Sequence, residues 1–182
     1  MPVSLASSSA AAMHGAMVPI ASVTFSSNNS AYFFTNIPQV YQDLMLVISQ
    51  RGTSSGTRAT FFGFNNLSAS NTFSYTQLIS DGSSATSVRN TSNQFQFESS
   101  CPLSTDTAGV FSSVVINILN YRNSSTFKSV LFRSAADFNG SGFTTLAAGL
   151  WQNTSAIDQI NIRTGVATGS TYTLYGIRTV GQ

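Results

Sequence analysis

Along most of this chain apolar and polar residues alternate with a period of two. The pattern is clearest at residues 94–98, where Phe95 and Phe97 interleave with Gln94, Gln96 and Glu98, giving one apolar and one wet face as in a half-buried strand. In "DLMLVI" and "VVINIL" both faces are apolar. That predicts central strands with the core on one side and a second covering layer on the other. From Val18 onward, runs rich in Phe, Tyr, Val, Ile and Thr are separated by Asn, Ser and Gly clusters, the punctuation of an all-β domain. The runs "PIASVTFS", "AYFFTN", "QDLMLVISQR", "TRATFFGFN", "FSYTQLIS", "QFQFES", "VFSSVVINILNY", "FKSVLFRSA", "FTTLAAGLW", "IDQINIR" and "STYTLYGIR" predict ten or eleven strands. Turns are expected at "SSNNS", "RGTSSGT", "SDGSS", "YRNSST" and "DFNGSGF". Asn139-Gly140, between two apolar runs, is the strongest hairpin signal.

No helical period is sustained and no internal repeat occurs. So many short strands in one domain need their edges protected, and two wrapped sheets supply that protection. The expected fold is all-β: a jelly-roll-like antiparallel β-sandwich over residues 18–182, preceded by a short N-terminal arm, residues 1–17, rich in Ala, Ser and Met. Leu44, Leu46, Phe62, Phe64, Val114, Ile116, Val130, Phe132, Ile160, Ile162 and Leu174 are its expected core. Tyr172 to Arg178 is expected as a central strand closing the sandwich.

Composition changes the picture at the surface. Asp, Glu, Lys and Arg make only 8% of the residues, against roughly 25% in an ordinary soluble domain. Ser, Thr, Asn and Gln supply 74 of the 182 residues, so hydroxyls and amides wet the surface. Such neutral groups dock against a neighbour without the desolvation cost of buried charge. Seven of the eight basic residues are Arg, the cation suited to forked bonds across protein interfaces.

The same inventory narrows the chemistry. A net charge of +2 on scattered basic residues gives no stripe to neutralise phosphates, so no nucleic-acid partner is expected. No apolar run approaches the ~20 residues of a membrane helix, and the opening segment lacks a basic n-region and a continuous apolar stretch, so it is expected in the mature protein. Cys101 is the only cysteine and His14 the only histidine. No disulfide framework, zinc site, other metal site or cofactor is expected. A Ser-His-Asp set has no scaffolded base, since His14 lies in the arm. The acids Asp43, Asp81, Glu98, Asp106, Asp137 and Asp158 could in principle form a glycosidase pair, but turn and salt-bridge roles are the expectation for each. No catalytic residue is assigned. Trp151 is read chiefly as a core residue, with stacking on a glycan or anchoring of an interface as the functional alternative.

The segments "FTNIPQVYQDLMLVISQRG", "FFGFN", "LWQNTSAIDQINI" and "GSTYTLYGIR" together resemble tailed-bacteriophage virion proteins. In those proteins a jelly-roll-like sandwich domain opens with an Ile-Pro-Gln-x-Tyr-x-x-Leu strand and closes with a Ser-x-Tyr/Phe-x-Leu-Tyr-Gly-Ile strand. The resemblance covers most of residues 18–182, and its motifs are structural. It implies a virion structural protein, not an enzyme, on the particle exterior: a capsid decoration or cement subunit bound to the major capsid protein and other virion proteins, as a homo-oligomer, first of all a trimer. The alternative it leaves open is a tail-fibre, baseplate or appendage subunit that binds a host-surface glycan. On the first reading the arm is the anchor, with Val3, Leu5, Met13 and Met17 seated in apolar grooves of the partner.

Overall fold

Twelve strands carry the period-two pattern into three dimensions in a computed structural model that describes residues 16–65 and 72–178. They are β1 (Met17–Thr24), β2 (Tyr32–Phe34), β3 (Asp43–Gln50), β4 (Thr60–Phe64), β5 (Phe73–Ser80), β6 (Ala85–Ser92), β7 (Phe95–Phe97), β8 (Ser112–Ile118), β9 (Lys128–Asp137), β10 (Gly142–Trp151), β11 (Ile160–Ile162) and β12 (Thr171–Ile177). The described residues contain no helix. All named pairings are antiparallel. One sheet has eight strands in the order β1-β12-β3-β8-β9-β10-β5-β6, the other four in the order β2-β11-β4-β7.

The two hairpins β5–β6 and β9–β10 are insertions into a simpler plan. Without them, eight strands remain in two sheets of four, ordered first-eighth-third-sixth and second-seventh-fourth-fifth along the chain. That is the jelly-roll order of a doubly folded Greek key. The hairpins then extend the first sheet beyond β8. The last strand, β12, lies between β1 and β3, so the closing strand expected at Tyr172 to Arg178 is central, with bounds Thr171–Ile177.

Every expected core residue is buried, none more than 3% exposed, because each sits on the inward side of its strand. Aromatic rings bridge the sheets: Phe97 of β7 lies 4.3 Å from Phe132 of β9, and Phe95 lies 4.9 Å from Phe73 of β5. Such pairs add roughly 0.5–1.5 kcal/mol each beyond their buried area. A buried polar knot also crosses the core. Gln50 donates through Nε2 to Thr60 Oγ1 (2.6 Å), Ser100 Oγ donates to Phe97 O (2.6 Å), and Thr60 N donates to Ser100 Oγ (2.8 Å). Buried polar groups need such partners.

The Asn139-Gly140 hairpin forms as expected: both residues have positive φ (62° and 120°), and Phe138 N bonds Ser141 O across the turn. That is the backbone a two-residue hairpin with the right twist requires. Three expectations change. Strand β6 was absent from them, because residues 85–91 are exposed on both faces and carry no alternation. Met17, expected in the arm, is the first residue of β1 and pairs with Ile177. Strands β3 and β8 are central, but among the described residues no second layer covers their outer faces: Val47 is 36% exposed. The arm residues Val3, Leu5 and Met13 lie outside the described residues.

Candidate functional site

Two segments far apart in the sequence, "IPQVY" and "LYGI", meet in space. Tyr41 of "IPQVY" lays its ring on Gly176 of "LYGI", where a Cβ would stand 2.3 Å from ring carbons. Gln39 Nε2 donates to the carbonyls of Ile37 and Ile157, both at 2.9 Å. Tyr121 Oη donates to Pro38 O and accepts from Tyr41 N. This is a structural lock between the β2–β3 crossover and β12. It leaves no reactive group exposed.

The surface that stands out is the outer face of the large sheet. One row across it reads Thr173, Val47, Val115, Arg133, Leu146, Leu78, and the next reads Tyr175, Met45, Asn117, Leu131, Ala148, Thr76. Leu78, Leu131 and Leu146 are 53%, 44% and 52% exposed; Val115, Met45 and Tyr175 are half-buried. From β3 to β5 these residues span five neighbouring strands, about 19 Å at ~4.8 Å per strand. Arg133 rises from the middle of the patch. Among the described residues the one salt bridge joins Arg58 to Asp106, so the Arg133 guanidinium is uncompensated. A contiguous apolar patch with a lone cation has the chemistry of an interface.

At one end of this face the β5–β6 and β9–β10 turns flank an open cleft of about 1010 Å³, with Ser113, Thr144 and Ser80 in its lining beside Phe111, Phe143, Asp81 and Asp137. Its two carboxylates are already engaged. Asp81 accepts from the backbone N–H groups of Ser84 and Ser83 and from both hydroxyls, which holds its pKa far below the usual carboxylate range. Asp137 accepts from Asn139 N. Elsewhere, Asp43 caps Asn120 N and Glu98 accepts from Gln96. Burial by itself would raise the Asp106 pKa, but the bonds from Arg58 and Leu103 N outweigh it and hold the group low. Asp158 is exposed. Five of the six candidate acids therefore hold the backbone or a neighbouring side chain.

Trp151 is 4% exposed, stacked on Phe73 at 6.0 Å and edge-on to Phe64 at 5.5 Å. Its ring faces are spent in the core, so the glycan-stacking alternative at this residue is withdrawn. Cys101 is buried, and desolvation pushes its thiol up to about 12. Lys128 is buried beside Trp151 in the β9–β10 pairing, its ammonium donating to Thr126 O (2.7 Å) and Thr154 O (3.0 Å), and burial lowers its pKa. Arg51 donates to four carbonyls, those of Thr107, Val110, Ser104 and Asp106, fastening the 103–110 loop. Among the described residues no group of acids, histidines or cysteines could hold a metal ion, and no helix is long and apolar enough to cross a membrane. His14 lies outside the described residues. The outer-face patch was missed by sequence reasoning as a free surface; its signal was the doubly apolar β3 and β8 runs.

Compared with protein-family models, curated proteins and solved structures, the chain matches none.

Proposed function

We propose that this chain is a structural virion subunit, a jelly-roll module that decorates a capsid by docking the outer face of its large sheet on neighbouring coat protein. The exposed leucine cluster around Arg133 carries the reading. An isolated sheet face normally alternates apolar-in and polar-out, whereas here Leu78, Leu131 and Leu146 face outward together. The few charges elsewhere keep the surrounding surface cheap to desolvate. A partner carboxylate opposite Arg133 would give register, since a planar guanidinium binds a carboxylate through two bonds.

The test is co-sedimentation with particles of its own virus stripped of accessory subunits. The double substitution Leu131→Asp with Leu146→Asp should abolish binding and leave the thermal midpoint within about 2 °C, because surface changes cost little stability. Undiminished binding by the double variant would rule the face out. The particle's own protein composition separates decoration from a fibre: a decorating subunit appears at a copy number comparable with coat protein. The hydroxyl-lined cleft with Phe111 and Phe143 favours the second reading, host-glycan binding by an appendage. Glycan-array binding that is lost in Phe111→Ala would establish it.

A further inference from the structure

The free edge at β6 leads to a separate conclusion about self-association. The β5–β6 hairpin projects the large sheet past its jelly-roll part, and among the described residues no layer packs over β6: residues 85–91 are all exposed, Val88 by 37% although its neighbour Gln77 is 1% exposed. Burial does not hold this strand. Its backbone ladder to β5 does, in eight unbroken pairs from Phe73↔Ser92 to Ser80↔Ala85. About half of its backbone N–H and C=O groups then point away from β5, an open template for another strand.

Edges are normally blunted by proline, a bulge, charge or shortness. The opposite edge of the same sheet is blunted in two of these ways: β1 contains Pro19, which has no N–H to give, and its register shifts between Pro19 and Ala21. Strand β6 has neither device. It is eight residues long, without proline or bulge, and Arg89 is its sole charge.

We propose that β6 pairs antiparallel with β6 of a second copy of this chain about a twofold axis normal to the sheet. Directly opposed residues must then lie on the same face, so the axis passes midway between a residue and its symmetry mate. Centred on Val88, the register sets Val88 against Val88, Arg89 against Ser87, Thr86 against Asn90 and Ala85 against Thr91. The half-exposed valines cover each other and the arginines take neutral partners. Centring on Arg89 opposes two guanidiniums, which is unfavourable. Pairing β6 to the guarded β1 of another copy is blocked by Pro19 and the bulge, so the contact closes as a pair instead of running on as a filament. The dimer joins both outer faces into one continuous surface. This inference does not depend on what that face binds.

The test uses the full chain. Sedimentation should show a monomer–dimer equilibrium that dissociates on dilution, as a small interface does. Val88→Lys, at an exposed site, should keep the wild-type melting curve and lose the dimer. Val88→Cys should form a disulfide-linked dimer under mild oxidation roughly a hundredfold faster than Ser22→Cys on the β1 edge, given the gain from holding two thiols together; the native Cys101 is buried and does not compete. A protein that is monomeric at its highest attainable concentration, a trimer, a dimer unaffected by Val88→Lys, or equal crosslinking at the two edges would each overturn the proposal.

Discussion

Replacing Gly176 by alanine tests whether the lock between the two motifs is a packing constraint. The added Cβ would stand 2.3 Å from Tyr41 Cδ2 and Cγ and 2.5 Å from Cδ1, so the ring must retreat by about 1 Å to reach van der Waals contact. The clash falls at the root of the ring, where rotation about χ2 brings no relief. The backbone is also fixed: Gln42 N bonds Ile177 O at 2.8 Å and Tyr41 N bonds Tyr121 Oη. Overpacking of this kind costs roughly 1–3 kcal/mol. Expelling the ring instead forfeits a burial worth up to about 3 kcal/mol. A loss of roughly 2–3 kcal/mol follows, which lowers the midpoint by about 4–12 °C in a domain of this size. The assay is urea unfolding of wild type, Gly176→Ala, Tyr41→Ala and the double variant. Without the Tyr41 ring, Gly176→Ala should cost nothing or stabilise by about 0.5 kcal/mol through a less flexible unfolded chain. A coupling energy below about 0.5 kcal/mol would refute the reasoning, since Gly176 would then be needed for something other than Tyr41.

Three further outcomes follow from the same geometry. Cys101 should resist thiol reagents at neutral pH in the native protein and react fully in denaturant. Because its folded pKa of about 12 lies above the unfolded value of about 8.5, its contribution to stability is complete below about pH 8.5 and is lost as pH rises towards 12, so alkaline melting should be shallower in Cys101→Ala. Asp106, held low in the folded state, contributes stability that is present above the unfolded carboxylate pKa and lost as pH falls through the folded value; Asp106→Asn should flatten the acid limb of stability against pH. Trp151→Ala should destabilise by about 3–5 kcal/mol, the cost of emptying a large aromatic site, and a variant that melts like wild type would contradict the stacked core position.

What the sequence made legible was what alternation encodes. The expected core side chains are inward because a period of two assigns faces, and the Asn139-Gly140 turn forms because few other dipeptides take two positive φ angles. What it hid was long-range. Tyr41 and Gly176 both fall in conspicuous segments, but their contact spans most of the chain and no local pattern announces it. Strand β6 had no hydrophobic face to reveal it; among the described residues its support is hydrogen bonding to β5, which leaves no mark on residue type. In β3 and β8 the pattern declared both faces apolar and so predicted a second covering layer, which the described residues do not supply.

That last gap bears directly on function. A jelly-roll sheet of four strands shows a modest outer face, and the inserted hairpins double its strand count. Of the leucines that make the patch, Leu131 lies on β9, Leu146 on β10 and Leu78 on β5, so all three sit on inserted strands, as does Arg133. The part needed to close the core supplies only Val47, Val115, Met45 and Tyr175, which are smaller or more shielded. The insertions therefore add little that the fold requires for its own topology, while contributing the exposed apolar area, its cation and the unguarded edge. Deleting neither hairpin but reversing their outward polarity is accordingly the change that should separate folding from the proposed binding: with the inward Val130, Phe132, Ala147 and Tyr75 untouched, the sandwich should keep its core and lose the face proposed for docking.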